Sequence, residues 1–173
     1  MRRGEILGLQ WDDLNMKTGV LKISRQVVLL NGKIHISEPK TKTSIRNIIL
    51  PTDIVELLAE YKKTVNSKWL FPSPVKEDMP RNPTAVRKIL DRTLEKADCK
   101  HIRFHDLRHT FATTALANGM DIKTLSAIIG HNSAETTLNI YTHITDEMQK
   151  SAAEKIGRNL RRDTNLSNKD SKP

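Results

Sequence analysis

The chain has 173 residues, room for one domain of ordinary size with or without a tail, and its 37% hydrophobic content is enough for a real core rather than general disorder. Its 29 Lys and Arg against 20 Asp and Glu give a net charge of +9, which favours an anionic partner: nucleic acid first, an acidic membrane face second. No apolar run approaches the ~18 residues that span a bilayer, no apolar stretch of a secretory signal follows Met1, and the single Cys99 excludes a disulfide framework or a cysteine-based zinc cluster. The expected setting is reducing and cytoplasmic, and an aromatic content of 4% suits a duplex read through its phosphates better than base-stacking on a single strand.

Glu5 to Leu14 carries Ile6, Leu7, Leu9, Trp11 and Leu14 at spacings that predict a short helix with one buried side, followed by a turn over Asn15 to Gly19. Val20 to Leu30 reads as a strand, Asn31-Gly32 as a tight hairpin turn, and Lys33 to Ser37 as the return strand. A polar basic stretch, Glu38 to Arg46, leads into a third strand over Arg46 to Leu50, so a three-stranded antiparallel meander is expected. A helix follows Pro51, with Asp53 and Glu56 as a capping pair and Ile54, Leu57, Leu58 and Tyr61 as its inner face. Trp69 to Pro74 breaks the pattern and should pin a loop to the core.

Asn82-Pro83 reads as an N-cap with proline at the first helical position, and Val86, Ile89, Leu90 and Leu94 as the buried face of that helix. Further helices are expected over His105 to Asn118, with Gly119 as the stop, and over Ile122 to Ile129, Ala134 to Ile140 and Asp146 to Ile156. Arg158 to Pro173 reads as a basic, disordered tail, and no internal repeat is present. The fold class is α+β: a mainly helical domain over residues 1–157 with a small antiparallel sheet.

The densest chemistry lies in His101 to His109. His105 and Arg108 share a helix face near a helix start, a ready phosphate site, although the same residues equally suit a solvated basic face. His101, His105 and His109 recur every fourth residue, but there is no HExxH pattern and Arg108 intrudes, so no metal is expected. Gly130-His131 and Tyr141 form a second cluster, in which a lone tyrosine also suits core packing.

Taken in order, Arg2-x-x-Glu5, a basic β-loop (Lys40 to Arg46), His105-x-x-Arg108, Gly130-His131 and then Tyr141 resemble the catalytic domain of the tyrosine recombinases, the phage integrase family. His105-Asp106-Leu107-Arg108-His109-Thr110-Phe111 is the most diagnostic stretch, and the resemblance covers nearly everything before the tail. It implies an enzyme in which Tyr141 attacks a DNA phosphodiester, forms a 3′-phosphotyrosyl bond and frees a 5′-hydroxyl. It implies Arg2 and Arg108 as the phosphate clamp, His105 as a phosphate ligand or a helper in deprotonating Tyr141, and His131 as a hydrogen-bond donor to the phosphate. Lys40 becomes the general acid on the leaving oxygen, with Lys42 two residues on as the alternative, and Arg3 is the alternative to Arg2. Glu5 should orient Arg2, and Asp106 either orients Arg108 or caps its helix. Arg3, Lys42, Arg46 and Arg103 should contact DNA.

The exchange of one phosphodiester for another of similar energy implies no cofactor, neither metal nor ATP. The partners implied are double-stranded DNA core sites and, in the full-length enzyme, a homotetramer on DNA, with Asp146 to Ile156 packing on a neighbouring subunit or on its own core. The family's N-terminal core-binding domain is not in this sequence, so it reads as a catalytic-domain fragment with weak, salt-dependent binding and little complete recombination alone. The rival readings are a type IB topoisomerase and a DNA-binding remnant without catalysis.

Overall fold

A computed structural model describes residues 1–38 and 45–130. The expected helices over 134–140 and 146–156 and the tail lie outside the described residues. In chain order the elements are α1 (Arg3–Leu7), a 3₁₀ turn (Trp11–Asp13), β1 (Val20–Ile23), β2 (Gln26–Leu30), β3 (Lys33–Ser37), β4 (Arg46–Ile49), α2 (Thr52–Lys62), α3 (Pro83–Lys96), α4 (Phe104–Ala117) and α5 (Ile122–Ile129). The α+β, mainly helical class therefore holds among the described residues.

The first predicted helix is broken in two. After α1 the backbone of Leu9 and Trp11 pairs with another segment: Leu70 N–H donates to Leu9 O at 2.9 Å, and Trp11 N–H donates to Lys68 O at 3.0 Å. Those groups are then unavailable for an α-helical ladder. The burial read from the sequence stands, because Leu7, Leu9, Trp11 and Leu14 are all buried. Gly4 is needed for close approach: a Cβ there would lie 2.7 Å from Val27 O, so α1 rests directly on β2.

The sheet differs from a three-stranded meander. The first expected strand divides at Ser24-Arg25 into β1 and β2, and the two halves take different partners. β1 pairs antiparallel with β4, Val20 opposite Ile49, and β2 pairs antiparallel with β3, Gln26 opposite Ser37. The break follows from Arg25, which turns from the strand line to pair with buried Asp13 and to reach Gly8 O at 3.4 Å. The hairpin turn is as expected: Asn31 and Gly32 both have positive φ, 50° and 74°, as a type I′ turn requires.

Leu9, Trp11, Leu14, Leu21 and Leu70 form one buried cluster, with Leu58, Tyr61, Val65 and Phe71 packed on it. Tyr61 stands between Trp11 and Phe71, each ring 6.1 Å away, and this fixes the rotation of α2. Val55, Leu58 and Tyr61 face inward as a result, whereas Ile54 and Leu57, expected inside, are exposed. Pro51 caps α2 without a side-chain hydrogen bond, so the Asp53–Glu56 capping pair is not formed. Trp69 and Leu70 are fully buried, and Trp69 Nε1 donates to Asp78 O at 2.9 Å, which ties the loop to the core.

α3 starts as read, with Asn82 Oδ1 accepting from Thr84 N at 2.8 Å and Pro83 buried behind it. On its expected inner face Val86, Leu90 and Leu94 are half-buried, but Ile89 is exposed. Asn82→Ala is expected to cost about 1 kcal/mol, read as a lower midpoint in urea with an unchanged slope. α4 begins at Phe104 and buries Arg108, Ala112 and Leu116 along one line. α5 runs over the expected residues, capped by Asp121, and ends at Gly130 in the left-handed conformation, φ 69°. No helix among the described residues is long and apolar enough to cross a membrane.

Candidate active site

The site grows from helix starts. Among the described residues three of them use one device: an acid at the third helical position accepts the N–H of the N-cap residue. Glu5 takes Arg2 N–H at 2.7 Å, Asp13 takes Gln10 N–H at 2.7 Å, and Asp106 takes Arg103 N–H at 2.8 Å. The device satisfies an otherwise orphaned donor and complements the helix dipole. It also gives the Arg-x-x-Glu spacing a physical cause, since the residue three before the acid has its backbone fixed beside the carboxylate.

Glu5 is the hub. It is only 4% exposed, yet it is charged. Its Oε1 accepts from Arg2 Nη1 at 2.9 Å and Arg46 Nη1 at 3.1 Å, and its Oε2 accepts from Arg2 N at 2.7 Å and Arg46 Nη2 at 2.9 Å. Burial acts to raise its pKa, but the hydrogen bonds and charge of Arg46 and Arg2 prevail and hold it at about 2, below the ordinary 4.5. Both arginines continue to the C-terminus of α5: Arg2 Nη2 donates to Gly130 O at 2.9 Å and Arg46 Nε to Ile128 O at 3.0 Å. They cap carbonyls that a helix end leaves without intrahelical donors.

The resemblance implies a DNA contact for Arg46. Its side chain is instead 8% exposed and turned inward onto Glu5 and α5. A basic, strand-leading arginine looks the same in a sequence whether it faces solvent or a buried acid; only the long-range pairing of β4 with β1 aims it inward.

Arg108 differs from both. It is 7% exposed, and its Nη1 is buried with no hydrogen-bond partner among the described residues. Burial first, then the adjacent Arg2, lowers its pKa to about 10, while Glu5 opposes that shift. A buried guanidinium donor left open is costly and calls for an anion. A cavity of about 500 Å³ opens beside it, lined by Arg2, Arg3, Arg103, His105 and Arg108. The structure thus brings Arg2, His105 and Arg108, with Arg3 and Arg103, to one cavity, and leaves Arg46 behind it. Lys40, Lys42, His131 and Tyr141 lie outside the described residues.

His105 stands in the first turn of α4, its ring 4.6 Å from that of His109, edge to face. Slight burial, then His109, Arg108 and Arg103, push its pKa below the ordinary 6.5, so the ring is mainly neutral at pH 7 and holds an acceptor nitrogen. Asp106 does not reach Arg108: it caps α4 and pairs with Arg103 at 2.9 Å, and these contacts hold its pKa at about 2. Arg103 is exposed and fixed on the cavity rim by that pair. His101 pairs with Asp91 at 3.2 Å.

Sequence reasoning missed Arg87 and Asp91, both on the cavity wall. The signal was faint, a cationic and an anionic residue one turn apart on an otherwise ordinary helix face.

Residues 1–148 match the phage integrase family. The chain belongs to that family. It is 29% identical to a tyrosine recombinase XerC-like protein of Caldanaerobacter subterraneus, over 90% of this chain and 46% of that protein. It is 28% identical to the ICEBs1 integrase of Bacillus subtilis, over 90% of this chain and 45% of that one. Its fold matches the Tn1549 transposon integrase, solved in complex with transposon right end DNA, with a TM-score of 0.77, 25% identity and coverage of 91% of this chain and 55% of that chain. The chain of this integrase-family member thus spans about half the length of the curated relatives it matches.

Proposed function

We propose that this integrase-family chain is the catalytic domain of a tyrosine-type site-specific recombinase, which cleaves and rejoins duplex DNA through a 3′-phosphotyrosyl intermediate. The observation that carries the reading is the buried Nη1 of Arg108, without a hydrogen-bond partner among the described residues, beside a cavity that Arg2 and His105 also line. Fixed cations aimed at a phosphodiester stabilise the charge that gathers on its non-bridging oxygens in the transition state. Arginine suits the task because its planar donors bind oxygens in pairs and stay charged.

In the proposed step the Tyr141 oxygen attacks phosphorus, the bond from phosphorus to the 5′-oxygen breaks, and Lys40 or Lys42 gives that oxygen a proton. His105, neutral and at the cavity, accepts the tyrosine proton or binds the phosphate. His131 donates a hydrogen bond to the same group. A 5′-hydroxyl from a second strand reverses the chemistry and reseals the chain. One phosphodiester replaces another of like energy, so the cycle consumes no ATP.

Arg3 and Arg103 on the rim would hold the neighbouring backbone, contacts that position the duplex without reading its bases. The substrate is a duplex core site, met in the cytoplasm of a bacterial host, and assembly as a tetramer on DNA belongs to the complete enzyme.

A nicked suicide duplex carrying a candidate core site tests the reading. A covalent protein–DNA adduct is expected on a denaturing gel, and none with Tyr141→Phe. Retarded duplex with no adduct in the wild type points to a DNA-binding remnant and sinks the proposal.

A further inference from the structure

We propose that Arg46 is a positioning residue for the strand-cleavage reaction: its guanidinium binds Glu5 and the last turn of α5 together, and so fixes Arg2 against the cavity. The inference rests on the recombinase reading of that cavity.

The geometry is a closed ring of contacts. Arg46 places Nη1 and Nη2 on the two oxygens of Glu5 at 3.1 and 2.9 Å, and Nε on Ile128 O at 3.0 Å. Glu5 holds the Arg2 guanidinium at 2.9 Å, and Arg2 reaches Gly130 O, also at 2.9 Å. Three elements remote in sequence, α1, β4 and α5, are joined by this one side chain. Gly130 is shaped to admit it: a Cβ there would sit 2.6 Å from Arg46 Cζ, and its φ of 69° disfavours any side chain as well.

Charge makes the same point. With Arg2 as its only partner, Glu5 would cancel the charge that a phosphate needs from Arg2. Arg46 supplies a second cation and takes up both oxygens of Glu5, so the carboxylate fixes the direction of Arg2 without neutralising the site. Lysine cannot replace it, because one ammonium lacks the planar fork that meets two carboxylate oxygens while a third nitrogen meets a carbonyl.

Arg46→Lys is expected to lower the single-turnover rate of adduct formation at saturating duplex by roughly ten- to a hundred-fold, since displacement of order 1 Å at a reacting site costs up to about 10²-fold. Affinity for the duplex should stay within about two-fold, because the side chain is buried away from the backbone it helps to cleave. Gly130→Ala pushes on the same guanidinium from the other side and should give the same split, so the test does not hang on one variant. Arg25→Lys is the control: it disturbs another arginine–carboxylate pair, with Asp13, and should lower Tm while leaving the adduct rate intact.

An unchanged adduct rate in folded Arg46→Lys overturns the inference. So does a loss of affinity that matches the loss of rate, which would make Arg46 a direct DNA contact. A wild-type chain that forms no adduct removes the recombinase reading, and the inference with it.

Discussion

Arg108→Met is expected to make the free domain more stable and to slow adduct formation by orders of magnitude. Arg108 is buried, its Nη1 without a partner among the described residues, beside two other guanidiniums. Replacing a buried, uncompensated charge by an apolar side chain of similar length is neutral to stabilising. A gain of about 1 kcal/mol corresponds to roughly 2–4 °C in Tm for a chain of this size. On the recombinase reading the same change removes a donor aimed at the transition state, and adduct formation should fall by about 10²–10³-fold.

Inorganic sulfate separates the two effects. It should raise the Tm of the wild type, because an anion that binds only the folded state stabilises it by mass action. The Arg108→Met protein should lose most of that rise. A Tm several degrees below the wild type would mean that Arg108 has a structural partner, and the assignment of its open donor to substrate would fall. On the proposed reading, the unfavourable burial of Arg108 readies it for a phosphate, so stability and function oppose each other at this one residue.

What could be read from the sequence divides along the range of the interactions. α5 was legible to its ends because its signals are local: Asp121 caps it and Gly130 stops it within eight residues. The Asn31-Gly32 turn and the Asn82-Pro83 start are equally local. The spacing of His105 and Arg108 on α4, and the register of Arg2 against Glu5, also lie within one helical turn. The pairing of β4 with β1 was not legible, since it depends on the break at Ser24-Arg25, and that break depends on Asp13 twelve residues earlier. The buried face of α2 is not legible for a similar reason. Its apolar residues allow two rotations, and contact with Trp11 and Phe71 selects one. Arg46 combines both difficulties, because its direction is set by strand pairing and its partner lies 41 residues away.

Glu5→Gln should produce the largest loss of stability, and its pH dependence carries a definite sign. In the folded chain Glu5 is held at about 2, below its ordinary 4.5. A carboxyl with a depressed folded value favours folding when ionised. Its contribution is therefore complete above about pH 4.5 and is lost as pH falls towards 2. At pH 7 the variant leaves Arg2 and Arg46 without their shared anion and with Arg108 close by, a broken buried pair that costs about 3–5 kcal/mol. Urea unfolding from pH 7 to pH 3 should show a wide gap between wild type and Glu5→Gln that narrows steadily below about pH 4.5, as the wild type approaches the protonated state that glutamine imitates. Sulfate should recover part of the variant's loss, because an anion in the cavity offsets the positive charge left without the carboxylate. A gap that stays constant over this range would show that Glu5 acts through packing alone. It would also remove the electrostatic basis for assigning Arg2 and Arg46 their separate tasks, one facing the phosphate and one holding the carboxylate that aims it.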